Sequence, residues 1–261
     1  MRYALAVEYA GFAFCGFQSQ PSRCGVQDAL ERAVGAIAGH PVGIVAAGRT
    51  DAGVHAVSQV VHFDAEVERP LSAWVRGVNA HLPAAAAVLW AHPVAPDFHA
   101  RFAASARHYT YVLQNRPERP ALLAGRVGWY HRRLDVAAMR AAAAHLRGTH
   151  DFSAFRAAEC QAKSPVKTLA RAVVGVDGDI LRFDFSADAF LHHMIRNLVG
   201  ALVHVGAGKE APEWLGALMA GRDRTRAAPT FMPDGLHFCG ADYDVRFGLP
   251  PTRRPVVVVA A

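Results

Sequence analysis

The sequence predicts an α+β protein made of two ferredoxin-like (RRM-like) halves with mainly antiparallel sheets. Short runs alternate apolar and polar side chains as half-buried strands do, and longer runs place apolar side chains at helical spacing. In the first third of the chain these runs follow the order β-α-β-β-α-β, which is that of a ferredoxin-like unit. With 261 residues, 52% of them hydrophobic, the chain is long enough to bury a substantial core.

The first half contains four predicted strands and two predicted helices. The strands cover residues 3–9, 42–47, 59–63 and 88–92. The helices cover residues 26–37 and 72–80. In the first of them the apolar side chains recur at helical spacing, at Val26, Ala29, Leu30, Ala33, Val34 and Ile37. A loop punctuated by glycines joins the first strand to this helix.

The second half shows a similar mixture without a strong sequence repeat. Single strands are predicted at residues 109–113 and 236–243, and residues 171–176 and 181–185 form a hairpin across the turn Asp177-Gly178-Asp179. Helices are predicted at 136–146, at 190–205 and from near Pro212, because proline suits a first helical turn. The predicted domains are residues 1–104 and 105–246, followed by a peripheral tail at 247–261.

The charge of the chain favours an anionic partner without identifying it. The formal net charge is +6, and all but three of the 28 lysines and arginines are arginine. The planar fork of arginine binds phosphates and stacks on bases, so a nucleic-acid partner is a reasonable hypothesis. The coding bias of a GC-rich genome would also favour arginine, and both explanations stay open on charge alone.

The four cysteines, Cys15, Cys24, Cys160 and Cys239, are scattered and include no C-x-x-C pair. Neither a zinc site nor a disulfide framework is therefore predicted, and free thiols in a reducing compartment are expected. The N-terminus lacks the long apolar region of a signal peptide, and the densest apolar run is about half of what a membrane span needs. These features predict a cytoplasmic protein without membrane contact.

The stretch AAGRTDAGVHA, residues 46–56, holds one carboxylate, Asp51, between Gly48 and Gly53. Glycine lets the backbone turn sharply and approach a ligand. Arg49 is near enough in sequence to hold Asp51 ionised, and an ionised acid can act as nucleophile or base. On these residues alone an Asx turn, a phosphate loop and a catalytic carboxylate are all open, although an acid would repel phosphate.

Eight blocks along the chain resemble the tRNA pseudouridine synthase A family. They read, in order, VEYAGFAFCGFQSQP, VQDALERAV, AAGRTDAGVHAVSQVVHF, VNAHLP, DFHARFAASARHYTYVLQN, DFSAFRA, FLHHMIRNLVGALVHVG and PDGLHF. The blocks follow that family's order and approximate spacing, and they span almost the whole chain. The resemblance implies the pseudouridine synthase fold, with the active-site cleft between the two halves.

The resemblance also implies an isomerase that converts uridine to pseudouridine at positions 38, 39 and 40, in the anticodon arm of tRNA. Asp51 is the implied catalytic residue. It could attack C1′, add to C6 of the ring, or take the C2′ proton, and the sequence leaves these routes open. The resemblance further implies that the enzyme uses no cofactor or metal and is a homodimer that binds tRNA across both subunits.

Three further residues take roles from the resemblance. Arg49 is expected to help the target uridine leave its stack and to fill the vacated place. Tyr109 is expected to stack on the uracil, although the strand pattern of RHYTY alone favours core positions for Tyr109 and Tyr111. Arg196 is expected to pair with Asp51, and on the predicted helix it shares a face with His192.

Arginines elsewhere are candidates for contact with the tRNA backbone, which positions an RNA without reading its sequence. They are Arg101, Arg107, Arg222, Arg224 and Arg226. The histidines include the pair His192–His193, but adjacent helical residues point about 100° apart, so no metal site is predicted.

The chain departs from the family's usual pattern at Ala10, Phe17 and Ser58, where aspartate, tryptophan and glycine are typical. The first two lie in the N-terminal loop that is expected to touch RNA. The sequence leaves two rival functions. One is a non-catalytic RNA-binding or RNA-folding protein on the same fold, and the other is a carboxylate glycosidase, which normally needs a pair of acids.

Overall fold

A computed structural model describes residues 1–257 of the chain. The chain divides into two compact units. Unit 1 comprises Met1–Arg107 and the C-terminal stretch that begins at His237, and unit 2 comprises His108–Leu236. Both units mix helices with mainly antiparallel strands, which confirms the predicted fold class. None of the helices within residues 1–257 combines the length and apolar character that a membrane crossing requires.

The strands within residues 1–257 are β1 (Arg2–Tyr9), β2 (Val45–Ala46), β3 (His55–Asp64), β4 (Ala86–Val94), β5 (Ala104–Asn115), β6 (Gly128–Tyr130), β7 (Gly148–Asp151), β8 (Val166–Asp177), β9 (Ile180–Ala187) and β10 (Leu236–Tyr243). The α-helices are α1 (Val26–Ala38), α2 (Val78–His81), α3 (Val136–Ala144), α4 (Met194–Gly206) and α5 (Trp214–Gly221). A π-helical turn at Ala73–Gly77 leads into α2. Unit 1 therefore begins with the predicted order β-α-β-β-α-β.

The sheet of unit 1 has the strand order β4-β1-β3-β10. Strand β1 is antiparallel to both of its neighbours, with Leu5 opposite Val61 on β3 and Ala91 on β4. Strand β10 runs parallel to β3, with His237 opposite His55. This pairing places the stretch from His237 in unit 1, whereas the sequence had assigned residues 105–246 to one C-terminal domain.

Aromatic side chains form the centre of the core of unit 1. Trp74 is fully buried, and its ring lies 5.2 Å from that of Tyr3 and 5.1 Å from that of Phe63. Because side chains alternate along a strand, Tyr3 and Tyr9 of β1 point to the same face of the sheet. Burying each such ring stabilises the fold by about 2 to 3 kcal/mol.

The sheet of unit 2 has the order β5-β9-β8-β7. Its central hairpin pairs Val174 with Phe183 and turns at Gly178, which has the positive φ of 56° that glycine tolerates. The hairpin was predicted at these residues. Helices α3 and α4 pack closely, since a Cβ on Gly206 would lie 2.6 Å from Met139 Sδ.

Two predicted elements begin later than expected. Strand β2 contains only Val45–Ala46, because the Ile44 N–H donates to the Glu31 side chain (3.1 Å) instead of a neighbouring strand. Helix α4 begins at Met194 and not at residue 190, because His193 adopts a left-handed conformation with φ of 60°. His192 is therefore outside the helix and shares no helical face with Arg196. The rings of His192 and His193 are in contact, 4.0 Å apart between centroids.

The expectation of four free cysteines was wrong for one pair. Cys15 and Cys24 form a disulfide, with their Cα atoms 5.4 Å apart. The loop between β1 and α1 folds back so that the Cys15 N–H donates to the Cys24 carbonyl (3.0 Å), a proximity that their spacing in the sequence does not indicate. Cys160 and Cys239 are free, as expected, and the structure places both in buried positions.

The predicted peripheral tail begins at residue 247, and its described part, residues 247–257, is hydrogen-bonded to the rest of unit 1. The buried Ser58 hydroxyl donates to the Thr252 carbonyl (2.8 Å), Trp90 Nε1 donates to the Pro251 carbonyl (3.3 Å), and the Arg254 N–H donates to the Cys239 carbonyl (3.0 Å). Ser58, one of the departures from the family pattern, thus binds this segment. Residues 258–261 of the predicted tail lie outside the described residues.

Candidate active site

The loop between β2 and β3 carries Arg49 and Asp51. Four hydrogen bonds fix its backbone and the side chain of Thr50. They are Gln59 Nε2 to the Gly48 carbonyl (2.7 Å), Phe17 N–H to the Thr50 carbonyl (2.9 Å), Val54 N–H to the Asp51 carbonyl (3.1 Å), and Tyr9 hydroxyl with the Thr50 hydroxyl (2.8 Å). Groups from β1, β3 and the N-terminal loop therefore hold the residues before Asp51, and the loop's own Val54 N–H closes the turn after it.

Tyr9 and Thr50 are both buried. Burial raises the pKa of Tyr9 to about 12, while hydrogen bonds to Thr50 and Gln59 act in the opposite direction. The phenol is thus protonated at neutral pH and can take part in a hydroxyl–hydroxyl bond. The alternating pattern of β1 predicts a buried Tyr9, but not its partner 41 residues further along the chain.

Gly11 lies against the turn that follows Asp51. Its N–H donates to His55 Nδ1 (3.1 Å), and a Cβ at this position would collide with the Val54 carbonyl. His55 in turn stacks on His237 of β10, with ring centroids 4.7 Å apart. Only glycine leaves room for this close approach of two backbone segments.

Arg49 is exposed, and Asp51 is half-buried. Among residues 1–257, the Arg49 guanidinium forms no ion pair with Asp51 or with any other carboxylate. The ion pair considered from the sequence is therefore absent from this part of the chain. The arginine side chain is accessible to a ligand next to the carboxylate.

Tyr109 and Tyr111 lie on β5 and are both buried. Tyr111 is a core residue, as predicted, and its hydroxyl donates to the Met232 carbonyl (3.0 Å). The ring of Tyr109 meets that of Phe190 edge-on, 5.2 Å between centroids. Stacking of Tyr109 on a base stays a prediction.

Arg196 lies in the first turn of α4, within unit 2. Its Nε donates to the Phe231 carbonyl (2.9 Å), and its own carbonyl accepts from the Phe231 N–H (3.2 Å). These two bonds anchor the side chain and backbone of Arg196 to the segment before β10. The pairing of Arg196 with Asp51 stays a prediction.

Arg107 connects three backbone segments of unit 1. Its guanidinium donates to the carbonyls of Ala47 (3.3 Å), Ala104 (2.9 Å) and Arg101. Ala47 directly precedes the loop that carries Asp51, so Arg107 links that loop to the chain around Arg101. Contact of Arg101 and Arg107 with RNA stays a prediction.

Two of the remaining candidate arginines have partners inside unit 2. Arg224 donates to Ala228 O (3.1 Å), Asn197 Oδ1 (3.1 Å) and Thr230 Oγ1 (3.0 Å). Arg222 pairs with Asp151 at 3.3 Å. The structure thus gives Arg224 an internal role, and the predicted phosphate contact gains no support there.

Replacing Thr50 with valine is expected to lower the free energy of unfolding by about 0.5 to 1.5 kcal/mol, because the buried Tyr9 hydroxyl loses one of its two hydrogen-bond partners and keeps Gln59. Thr50→Ser keeps the hydroxyl and serves as the matched control. Urea unfolding measures both. In the double variant Tyr9→Phe with Thr50→Val, the loss should be smaller than the sum of the single losses. Additive losses would show that the two hydroxyls do not interact.

Acidification is expected to destabilise the protein through His62. This buried side chain accepts the Ala100 N–H (3.1 Å), and burial, aided by the charges of Arg2 and His99, lowers its pKa from 6.5 to about 4. Between these pH values the unfolded chain binds a proton that the folded chain does not. The free energy of unfolding should therefore fall by up to about 3 kcal/mol as the pH drops through this window, with no contribution above it.

Urea unfolding near neutral pH and at about pH 5 tests this. His62→Asn is the control, since its carbonyl can accept the Ala100 N–H and does not titrate. The wild type should lose more stability than this variant on acidification. Equal losses in the two proteins would exclude His62 as the source.

The chain is similar to known proteins over most of its length. The family model described as tRNA pseudouridine synthase matches residues 5–103 and 142–244. A protein named tRNA pseudouridine synthase A from Thiobacillus denitrificans is 63% identical over 250 residues, which is 96% of each chain. Proteins of the same name from Chromobacterium violaceum and Dechloromonas aromatica are 62% and 61% identical, again over 96% of this chain and 96% and 95% of theirs.

Proposed function

Because the chain belongs to the tRNA pseudouridine synthase family, we propose that it isomerises uridine to pseudouridine at positions 38, 39 and 40 of the tRNA anticodon arm, with Asp51 as the catalytic carboxylate. The arrangement of the Asp51 loop is the observation that supports this most. Three hydrogen bonds fix its backbone and a fourth holds the Thr50 side chain, while Arg49 beside the carboxylate is exposed. A preorganised carboxylate next to an accessible cation suits a substrate that must be turned out of a stacked RNA.

The isomerisation needs a positioned carboxylate and room for the uracil to turn. The N1–C1′ bond of uridine breaks, the uracil turns, and C5 bonds to C1′. N1 gains a proton and C5 loses one to solvent, so no net oxidation or reduction occurs. Asp51 can attack C1′, add to C6, or take the C2′ proton. Each route needs an ionised carboxylate beside the junction of ribose and base.

The other roles come from the family resemblance. Arg49 assists the flip of the uridine, Tyr109 stacks on the uracil, and Arg196 is the basic partner of the catalytic carboxylate. Arg101 and Arg107 belong to the substrate-binding surface. The enzyme is a homodimer of the cytoplasm that binds tRNA across both subunits. Each of these statements is part of the proposal.

Release of tritium from tRNA labelled at uridine C5 tests the proposal. The wild type should release label from tRNAs whose only uridine in the arm is at position 38, 39 or 40, and not from a tRNA with none of the three. Binding of tRNA without release would favour the RNA-binding alternative. Free uracil in the products would favour the glycosidase.

A further inference from the structure

The loop between β4 and β5 exposes a large aromatic ring. Phe102 is 75% exposed, whereas Phe98, four residues earlier, is fully buried. We propose that Phe102, with His99 and Arg101, forms a stacking platform that binds an unpaired base of the RNA substrate. The proposal rests on the proposed function only for the identity of the RNA.

Hydrogen bonds hold the stacking platform in shape before any ligand binds. His99 Nδ1 accepts the backbone N–H groups of both Arg101 and Phe102 (3.2 Å each), and its carbonyl accepts the Ala103 N–H (2.9 Å). The imidazole also stacks on Phe102, with centroids 4.3 Å apart and planes at 28°. A ring that is already ordered loses little conformational entropy on binding, which favours affinity.

The charge around the ring suits a nucleic acid. The Arg101 guanidinium lies 5.5 Å from the Phe102 centroid and is exposed, so it can reach a phosphate while the ring meets a base. Burial and the charge of Arg2 lower the pKa of His99, so that the imidazole is neutral and serves as an aromatic support. Proteins that bind single-stranded nucleic acid combine aromatic rings with arginine in this way.

One arginine connects the stacking platform to the Asp51 loop. Arg107 donates both to the Arg101 carbonyl and to the Ala47 carbonyl, which precedes Gly48. The two loops are thus braced by the same side chain within unit 1. This brace fixes the stacking platform relative to the Asp51 loop, as an RNA that contacts both would require.

A second protein chain is the less suitable occupant. Aromatic side chains and arginine are also common at the centres of protein–protein interfaces, but such an interface needs about 1,000 Å² of complementary surface. In the loop between β4 and β5, Phe102 is the one large hydrophobic side chain that is exposed. Stacking on a base needs no matching surface, because every base has a π-face. We therefore assign the stacking platform to RNA, and a protein contact becomes an outcome of the test.

Binding of unmodified tRNA by three variants tests the proposal. Phe102→Ala should raise the Kd by about 5- to 100-fold, because one base–aromatic stack is lost. Phe102→Trp keeps a stacking ring and should bind within about threefold of wild type. Leu122→Ala, at a position 97% exposed in unit 2, is the control for loss of an exposed apolar side chain and should change the Kd by less than about twofold.

Fluorescence gives a readout that a purely structural role would not move. In Phe102→Trp, tRNA should quench emission beyond the change seen in the wild type, since a base then stacks on the new indole. An unchanged Kd in Phe102→Ala, or no added quenching, would overturn the proposal. So would a change of oligomeric state in Phe102→Ala with unaltered RNA affinity.

The outcomes also separate this proposal from the isomerase assignment. If the wild type releases no tritium but the variants show the expected Kd values, the isomerase assignment is refuted and the stacking platform is supported. If the wild type releases tritium and Phe102→Ala binds tRNA with an unaltered Kd, only the stacking-platform proposal is refuted.

Discussion

Asp51→Asn is expected to abolish tritium release from uridine C5, by about 10⁴-fold or more, while tRNA affinity stays within about twofold of wild type. The amide has the shape of the carboxylate, but it neither ionises nor serves as nucleophile or base. The loop should keep its conformation. The bonds that hold it use the Gly48, Thr50 and Asp51 carbonyls and the Thr50 hydroxyl, and none of those four requires the charge.

A matched change elsewhere controls for the loss of one negative charge. Asp177→Asn alters an exposed residue at the hairpin of unit 2 and should leave both release and affinity within about twofold of wild type. Activity of Asp51→Asn near that of the wild type would refute the catalytic role. If affinity fell as steeply as release, Asp51 would belong to binding instead.

Gly11→Ala is expected to have the second largest effect. The added Cβ would meet the carbonyl of Val54, whose N–H closes the turn with the Asp51 carbonyl (3.1 Å). Both partners are backbone, so the turn itself must move. Such overpacking costs about 1 to 3 kcal/mol of unfolding free energy, and a displacement of about 1 Å at a catalytic group can cost about 100-fold in rate. Urea unfolding and tritium release measure the two effects.

Gly43→Ala is the control, because it makes the same chemical change at a place where a Cβ would have no neighbour within 4 Å. It should be neutral or slightly stabilising, since alanine restricts the unfolded chain. If Gly11→Ala has the stability and activity of the wild type, the turn at Val54 can move to make room for the Cβ without loss of unfolding free energy.

The sequence predicts those parts of the fold that depend on local periodicity. Helix α1 and strand β10 begin where the patterns place them, at Val26 and Leu236. Helix α4 begins later than predicted, at Met194 instead of residue 190. The apolar spacing extends over residues before Met194, but the backbone there is not helical, because His193 is left-handed. A hydrophobic pattern reports which face is buried. It does not report where the backbone changes conformation.

The candidate site was only partly predictable for a related reason. Local residues left Asp51 between a turn, a phosphate loop and a catalytic group, and the family resemblance decided for the last. The support of the Asp51 loop depends on contacts between residues far apart in sequence, such as Tyr9 with Thr50 and Phe17 with Thr50. No periodic pattern encodes such pairs, so Tyr9, Gln59 and Gly11 were not identified as parts of the site.

The parallel pairing of β10 with β3 has a consequence for biosynthesis. Residues Met1–Arg107 leave the ribosome long before His237, yet they need the strand that follows His237 to complete their sheet. Until then the edge of β3 at His55, next to the Asp51 turn, has no partner and is open to wrong pairing. The nascent N-terminal segment therefore completes its sheet only near the end of translation, and a chain that stops before β10 would leave this edge of β3 without its parallel partner.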